Sequence, residues 1–279
     1  MRFRALLGLL CCACVHATRA PRAPEADEPA VEVLTYNVNF GIPGDEDTLA
    51  AIESSQADVV FLQETNEQWQ AAASHRLAKR WPHQRWISQP AAGGQAVLSR
   101  WEFSGPEVID APTGWFPGVR VVASTPLGAV QVLSVHLHPP VSESGSWVKG
   151  YFSTTGLRRL EVEAFAEHLS ARYPTLVVGD FNEGTSGDAV GWLERNGLRS
   201  ALPEFAPKAK TWRWQEGPVH LSAQFDHLAY SDALEPLSAE VLPLGNSDHL
   251  PVRAVFTRSH GAPRPPAPSG ASMSISLRP

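Results

Sequence analysis

The tetrapeptide Gly179-Asp180-Phe181-Asn182 closes the apolar run Thr175-Leu176-Val177-Val178, and three further strand ends carry polar pairs at the same spacing: Asn37 with Asn39, His136 with His138, and Ser247 with His249. Residues two apart in extended chain point to one side, so each pair presents its groups together. Glu64 ends a fifth run, Val59-Val60-Phe61-Leu62-Gln63. Carboxylates, amides and imidazoles of this kind hold a hard divalent cation through oxygen and move protons near neutral pH. Those are the needs of phosphoric-ester hydrolysis: charge on non-bridging oxygens neutralised, a water activated in line, a departing alkoxide stabilised. A carboxylate after a run as apolar as Leu176 to Val178 is costly unless a cation or hydrogen bonds compensate it, which favours a site over a simple turn at Asp180.

The elements that must position these groups read as strands at 31–40, 59–63, 83–88, 96–99, 118–123, 130–136, 176–180, 225–230, 240–244 and 252–256. Helical periodicity runs over 47–55, 67–80, 157–172 and 189–196, with Leu160, Ala164, Phe165 and Leu169 as the apolar seam of the third. Helices interspersed with strands, some joined by short loops and some by helical crossovers, predict α/β layers with mixed sheets.

The 279 residues, 43 % of them hydrophobic, suffice for one large domain or two small ones. Residues 1–17 read as a signal peptide: a basic start, an uncharged apolar stretch from Ala5 to Val15, and small residues before cleavage after Ala17 or, alternatively, Ala20. The chain is therefore expected to be exported, either secreted or periplasmic. Cys11, Cys12 and Cys14 all fall in that segment, so cleavage leaves a mature protein without thiols and excludes redox chemistry and thiolate metal sites. A lipidated Cys14 is the alternative, and it would add a membrane anchor. Residues 18–30 read as a flexible linker, 31–257 as the folded domain and 258–279 as a disordered tail.

Over residues 31–257 there are 16 Lys and Arg against 26 Asp and Glu, a net charge of −10, where the whole chain carries −6. Such a surface repels a long polyanion, and no basic run offers the phosphate contacts of a duplex-gripping protein.

In order along the chain, Thr35-Tyr36-Asn37-Val38-Asn39, Leu62-Gln63-Glu64-Thr65, Val135-His136-Leu137, Gly179-Asp180-Phe181-Asn182, Phe225-Asp226-His227 and Ser247-Asp248-His249-Leu250-Pro251 resemble the motifs of the endonuclease/exonuclease/phosphatase (DNase I-like) superfamily. The resemblance spans nearly all of 31–257. It implies a four-layer α-β-β-α sandwich of two mixed sheets flanked by helices, and a hydrolase dependent on Mg²⁺, with Mn²⁺ as an alternative. By the resemblance, Asp180 orients or deprotonates the attacking water, Asn182 gives its amide to phosphoryl oxygens, and His136 contacts phosphate. His249 faces phosphate, with Asp226 orienting it and raising its affinity for protons. Glu64 is the carboxylate for the metal, Asn37 a neutral ligand or its support, and Asp248 a further ligand of the same ion or a second one. Arg158, at the start of a helix, and Tyr151, in the preceding loop, are the substrate-binding candidates. His138 lies outside the pattern and reads as a solvent-exposed loop residue. His227 points away from Asp226 and reads as structural.

Asn39 stands where apurinic-site endonucleases carry an acid, which speaks against that branch. The expectation is an exported, monomeric phosphodiesterase or phosphatase acting on a small or locally accessible phosphoester. A secreted DNase and a sphingomyelinase-like lipid phosphodiesterase are the alternatives, and a non-catalytic binding module is the competing class. Aromatic residues at Trp147, Tyr151, Phe152, Trp212 and Trp214 read as base-stacking, lipid-facing or loop-packing groups.

Overall fold

A computed structural model of the chain describes residues 18–140 and 153–261. Two six-stranded mixed sheets form its frame. The first runs β13 (Leu234–Val241), β14 (Val252–Arg258), β1 (Val31–Asn37), β2 (Val59–Thr65), β4 (Gly94–Ser99) and β3 (His83–Ile87). The second runs β5 (Phe103–Ile109), β6 (Gly118–Thr125), β7 (Gly128–His136), β8 (Thr175–Asp180), β12 (Asp226–Ser231) and β9 (Leu198–Ser200). Each sheet has one parallel pair at its middle, β1 with β2 and β7 with β8. A parallel pair needs a crossover, and α1 (Glu46–Ser54) and α3 (Thr155–Ala166) supply the two. Helices α2 (Glu67–Ala78), α4 (Asp188–Arg195) and α5 (Leu202–Phe205) complete the described set.

Both faces of the central strands are buried, which is why they read as continuous apolar runs. Val33, Phe61, Val97, Val132, Val178 and Phe256 fill the space between the sheets. Leu34, Val60, Leu62 and Leu98 turn outward onto Leu49 and Ile52 of α1 and Trp69 and Leu77 of α2. On the far side Leu133, Val135 and Val177 meet Val162 and Phe165 of α3 and Val190 and Leu193 of α4. The result is the expected four-layer sandwich.

Several sequence expectations are corrected. The strand read at 240–244 lies instead at Leu234–Val241, where Pro236 accompanies a break in register that hides the pattern. Strand β5 was missed for the same reason, since Gly105 and Pro106 interrupt an edge strand. The two-stranded sheet of β10 (Trp212–Glu216) and β11 (Val219–Ala223) is likewise absent from the sequence reading, although Trp212, Trp214, Val219, Leu221 and Ala223 alternate with polar residues. In α3, Leu160 is 46 % exposed, while Arg158, Glu161, Val162 and Phe165 are buried. The helix is rotated to put charges inward, which a hydrophobic seam does not anticipate. Residues 18–30 are no loose tether: Arg19 N–H donates to Glu204 O (2.7 Å), Arg22 N–H to Leu237 O (3.0 Å), and Thr257 Oγ1 to Pro29 O (2.9 Å). Arg19 also pairs with Glu204 and Glu235. These contacts tie the segment at separate points to α5, β13 and β14. Residues 1–17, read from the sequence as a signal peptide, lie outside the described residues, as do those beyond 261.

Candidate active site

Two backbone devices bring the strand ends into register. Gly179 has φ +138°, and a Cβ there would sit 1.9 Å from Val135 O, so only glycine lets β8 lie this close to β7. That closeness aligns His136 with Asp180 across β7 and β8, and Asp180 with Asp226 across β8 and β12. Glu64 has φ +59° at a bulge where β2 shifts register against β4 between Gln63 and Thr65. Strict alternation would turn Glu64 away from the side that Gln63 faces. The bulge re-aims it toward the end of the sandwich. Opposite the bulge, Gly94 leaves room that a Cβ would deny, 2.0 Å from Thr65 O.

The side chains converge on one oxygen. Asn37 Nδ2 donates to Glu64 Oε1 (2.9 Å) and to Asp180 Oδ2 (3.1 Å). His249 Nε2 stands 3.4 Å from Asp180 Oδ2 and His136 Nε2 3.6 Å from it, with Glu64 Oε1 3.9 Å from His136. Behind His249, Asp226 Oδ2 lies 2.9 Å from Nδ1. Asn182 N–H donates to Asp180 Oδ1 (2.8 Å), and Asn182 Nδ2 to Leu137 O (2.8 Å). Glu64, Asp180 and His249 therefore share one pocket, drawn from segments as much as 185 residues apart.

The electrostatics divide the two histidines. Burial opposes charge on His249, but Asp226 and Asp180 outweigh it and push the pKa up to about 10, so the ring is an imidazolium at neutral pH. Burial lowers His136 and leaves it neutral. Its Nδ1 faces the carbonyl of Ala92 (3.2 Å), which only accepts, so Nδ1 carries the proton and Nε2 is a bare lone pair. Burial also raises Glu64 and Asp180. Three electron-rich atoms, His136 Nε2, Glu64 Oε1 and Asp180 Oδ2, thus point into one space with a single amide donor between the carboxylates.

That donor set fits a hard divalent cation. Glu64 and Asp180 are carboxylates whose charge burial disfavours until a cation joins them. Asp180, Asp226 and His249 are also close enough to enclose an ion. We favour Glu64 with Asp180, because protonated His249 is no ligand and Asp226 is committed to it. Asn37 turns its nitrogen to both carboxylates and its oxygen to Asn39 N–H (3.1 Å), which makes it support for the pair rather than an oxygen ligand. Asp248 departs from the metal-ligand expectation. Its Oδ1 accepts from Asn39 Nδ2 (3.1 Å) and Ser247 Oγ (3.4 Å), and its Oδ2 from Trp212 Nε1 (3.1 Å). With both oxygens engaged, it braces the 247–249 loop against β10, where Trp212 bridges His249.

Arg158 is also corrected. Its guanidinium is fully buried, bonded to Glu183 Oε2 (3.1 Å) and Thr154 Oγ1 (2.7 Å), and therefore does not reach for substrate. Glu183 Oε1 in turn accepts from Ala189 and Val190 N–H at the start of α4 (2.7 and 2.9 Å). Glu161 accepts from His138 N–H (2.7 Å) and from Thr113. His138 is only 5 % exposed, its ring 4.6 Å from that of Trp115, so it is not the exposed residue expected. His227 is structural as read: buried, between Ser200 and Glu183 O, and depressed by burial to about 4. Tyr151, with Trp147 and Phe152, lies outside the described residues. Sequence reasoning missed Phe116, whose ring stacks on His136 at 4.3 Å and 24°, and Trp115, 46 % exposed beside it. Their sole signal was a pair of aromatics before Pro117.

Residues 34–249 match the sequence profile of the Endonuclease/Exonuclease/phosphatase family. No curated protein matches the sequence significantly. Among solved structures the chain is similar to the endonuclease/exonuclease/phosphatase from Beutenbergia cavernae DSM 12333, with TM-score 0.66 and 22 % identity over 84 % of this chain and 73 % of that one. It is similar to the human Nocturnin catalytic domain with bound sulfate, at TM-score 0.62 and 16 % identity over 83 % and 96 %. An AP endonuclease from Archaeoglobus fulgidus gives TM-score 0.59 and 16 % identity over 81 % and 99 %. At these identities the likeness is one of fold.

Proposed function

The chain belongs to the endonuclease/exonuclease/phosphatase family, and from that premise we propose that it is an exported, divalent-metal-dependent phosphoric-ester hydrolase in which water attacks phosphorus in line with the leaving group. The observation that carries this reading is the meeting of Asn37, His136 and His249 at Asp180 Oδ2. Asp180 orients the water and takes its proton, a role suited to a carboxylate whose proton affinity burial has raised. Asp226 holds His249 as an imidazolium, whose Nε2–H offsets charge on a phosphoryl oxygen. The Asn182 amide has a second N–H for another oxygen, beyond the one given to Leu137. Burial keeps His136 neutral in the free protein, and the negative charge of a bound phosphate opposes that effect, so that Nε2 takes a proton from solvent and donates it to a phosphoryl oxygen while Nδ1 stays bonded to Ala92 O. Glu64, with Asn37 in support, would hold Mg²⁺ or Mn²⁺ beside Asp180, and the ion would supply neutralisation of the non-bridging oxygens.

The acidic surface supports a small or locally accessible phosphoester over a long duplex. Exposed Trp115, next to the aromatic ring that stacks on His136, supports an ester whose organic group is planar and apolar. Export rests on the basic and apolar start of the chain.

The test is a panel of bis-p-nitrophenyl phosphate, p-nitrophenyl phosphate, plasmid DNA and sphingomyelin, each with Mg²⁺ and with EDTA. We expect turnover of a p-nitrophenyl ester that EDTA abolishes and that Asp180→Asn and His249→Ala lose while remaining folded. Wild-type rates in either variant would refute the assigned roles, and a preference for plasmid DNA would select the nuclease alternative.

A further inference from the structure

A line of buried hydrogen bonds crosses the sandwich directly beneath the site. Thr35, Gln63, Gln95 and Ser134 are each 0 % exposed and occupy the space between the sheets, one step further from the open end than the site residues. Thr35 lies two residues before Asn37, Gln63 immediately before Glu64, and Ser134 two before His136. Gln95 is the cross-strand neighbour of Gln63.

The direction of every bond is fixed from one end. Pro117 O only accepts, so Gln95 Nε2 donates to it (2.6 Å) and Gln95 Oε1 must accept. Ser134 Oγ therefore gives its proton to Gln95 Oε1 (2.7 Å) and has lone pairs left for Gln63 Nε2 (3.4 Å). Gln63 Oε1 then accepts from Thr35 Oγ1 (3.2 Å). The chain has one proton arrangement and joins β1, β2 and β4 of the first sheet to β7 of the second. It ends at the carbonyl that follows Phe116, the ring stacked on His136.

Such a network is unnecessary for a stable interior, since apolar residues fill the same layer further down, and each buried polar group carries a penalty if its partner is lost. Its geometry sets something dispersion forces leave soft: the spacing between the metal-holding half of the site, Asn37 and Glu64, and the phosphate-facing half, His136. We infer that Gln95 and Ser134 are positioning residues, a cross-sheet brace that holds these halves at catalytic separation and clamps Phe116 against His136. The catalytic part of this inference rests on the proposed hydrolase activity; the clamping part does not.

Two readouts test it. In Gln95→Leu, similar in size but unable to bond, kcat should fall roughly 10- to 100-fold with KM within about twofold. Ser134→Ala should act likewise, and the double variant should be little worse than Gln95→Leu alone, because both cut one chain. Val130→Ala, in the apolar layer, is the control for lost stability and should keep kcat. The second readout is the NMR signal of the isotope-labelled His136 ring, which Phe116 displaces by its ring current. Gln95→Leu should return that signal toward the free-histidine position, and Val130→Ala should not. An unmoved His136 signal in Gln95→Leu, or equal kcat losses in Gln95→Leu and Val130→Ala at equal melting temperature, would overturn the brace. If the wild-type protein turned over none of the substrates, the NMR comparison alone would still decide whether Gln95 clamps Phe116.

Discussion

His249 Nδ1 lies 2.9 Å from Asp226 Oδ2, joining the loop after β13 to the first residue of β12 in a buried pair. The pairing has a sign that pH reveals. His249 has a folded pKa raised to about 10 from an ordinary 6.5, so its contribution to stability is full below about 6.5 and is lost as pH rises through about 10. In EDTA, the wild-type melting temperature should fall across that window. Asp226→Asn should flatten this dependence and lower kcat by about 100-fold or more, the usual scale for losing one preorganised charge-stabilising donor. A wild-type curve flat between pH 7 and 10 would show that His249 is neutral.

Glu64 and Asp180 are carboxylates that burial biases toward the protonated form. In EDTA at neutral pH, Glu64→Gln should therefore melt no lower than wild type. Adding Mg²⁺ should stabilise the wild type by RT ln(1 + [L]/Kd), about 2.7 kcal/mol at a hundredfold excess over Kd, and raise its melting temperature accordingly. The same addition should leave Glu64→Gln nearly unmoved. Equal Mg²⁺ shifts in both proteins would place the ion elsewhere.

Arg158 and Glu183 form a fully buried ion pair, and removing one partner strands the other. Arg158→Met should cost about 3–5 kcal/mol by urea denaturation while KM stays near wild type. A raised KM with undiminished stability would restore Arg158 as a substrate contact.

Trp115 stands exposed beside Phe116. Trp115→Ala should lower kcat/KM about tenfold on thymidine 5′-(p-nitrophenyl phosphate), the scale of one aromatic contact, and less than threefold on p-nitrophenyl phosphate, which lacks the nucleoside. Equal losses on both would assign Trp115 to packing alone.

Arg19 is anchored through its backbone and its guanidinium, so processing after Ala17 keeps those contacts and processing after Ala20 discards them. On the proposed export, mass spectrometry of the processed chain should find Thr18 as the first residue.

Much of the site was legible because strand periodicity is local. Alternation turned His227 away from Asp226, and the apolar runs marked the strands that carry His136, Asp180 and Glu64; Asn182 lies past the end of β8 with φ +51°, so strand alternation does not place it. Types of chemistry followed from residue types, and the acidic balance from counting. Tertiary structure decided what depends on neighbours distant in the chain. The bulge that aims Glu64 exists because β4 offers Gly94 opposite it. Arg158 turns inward because Glu183, from another strand end, waits there, and Asp248 is occupied because Trp212 of β10 reaches it. A sequence states which side of its own strand a residue takes. Which groups meet there, and whether a charge ends in a pocket or in a buried pair, is set by packing between segments whose separation along the chain leaves no local trace.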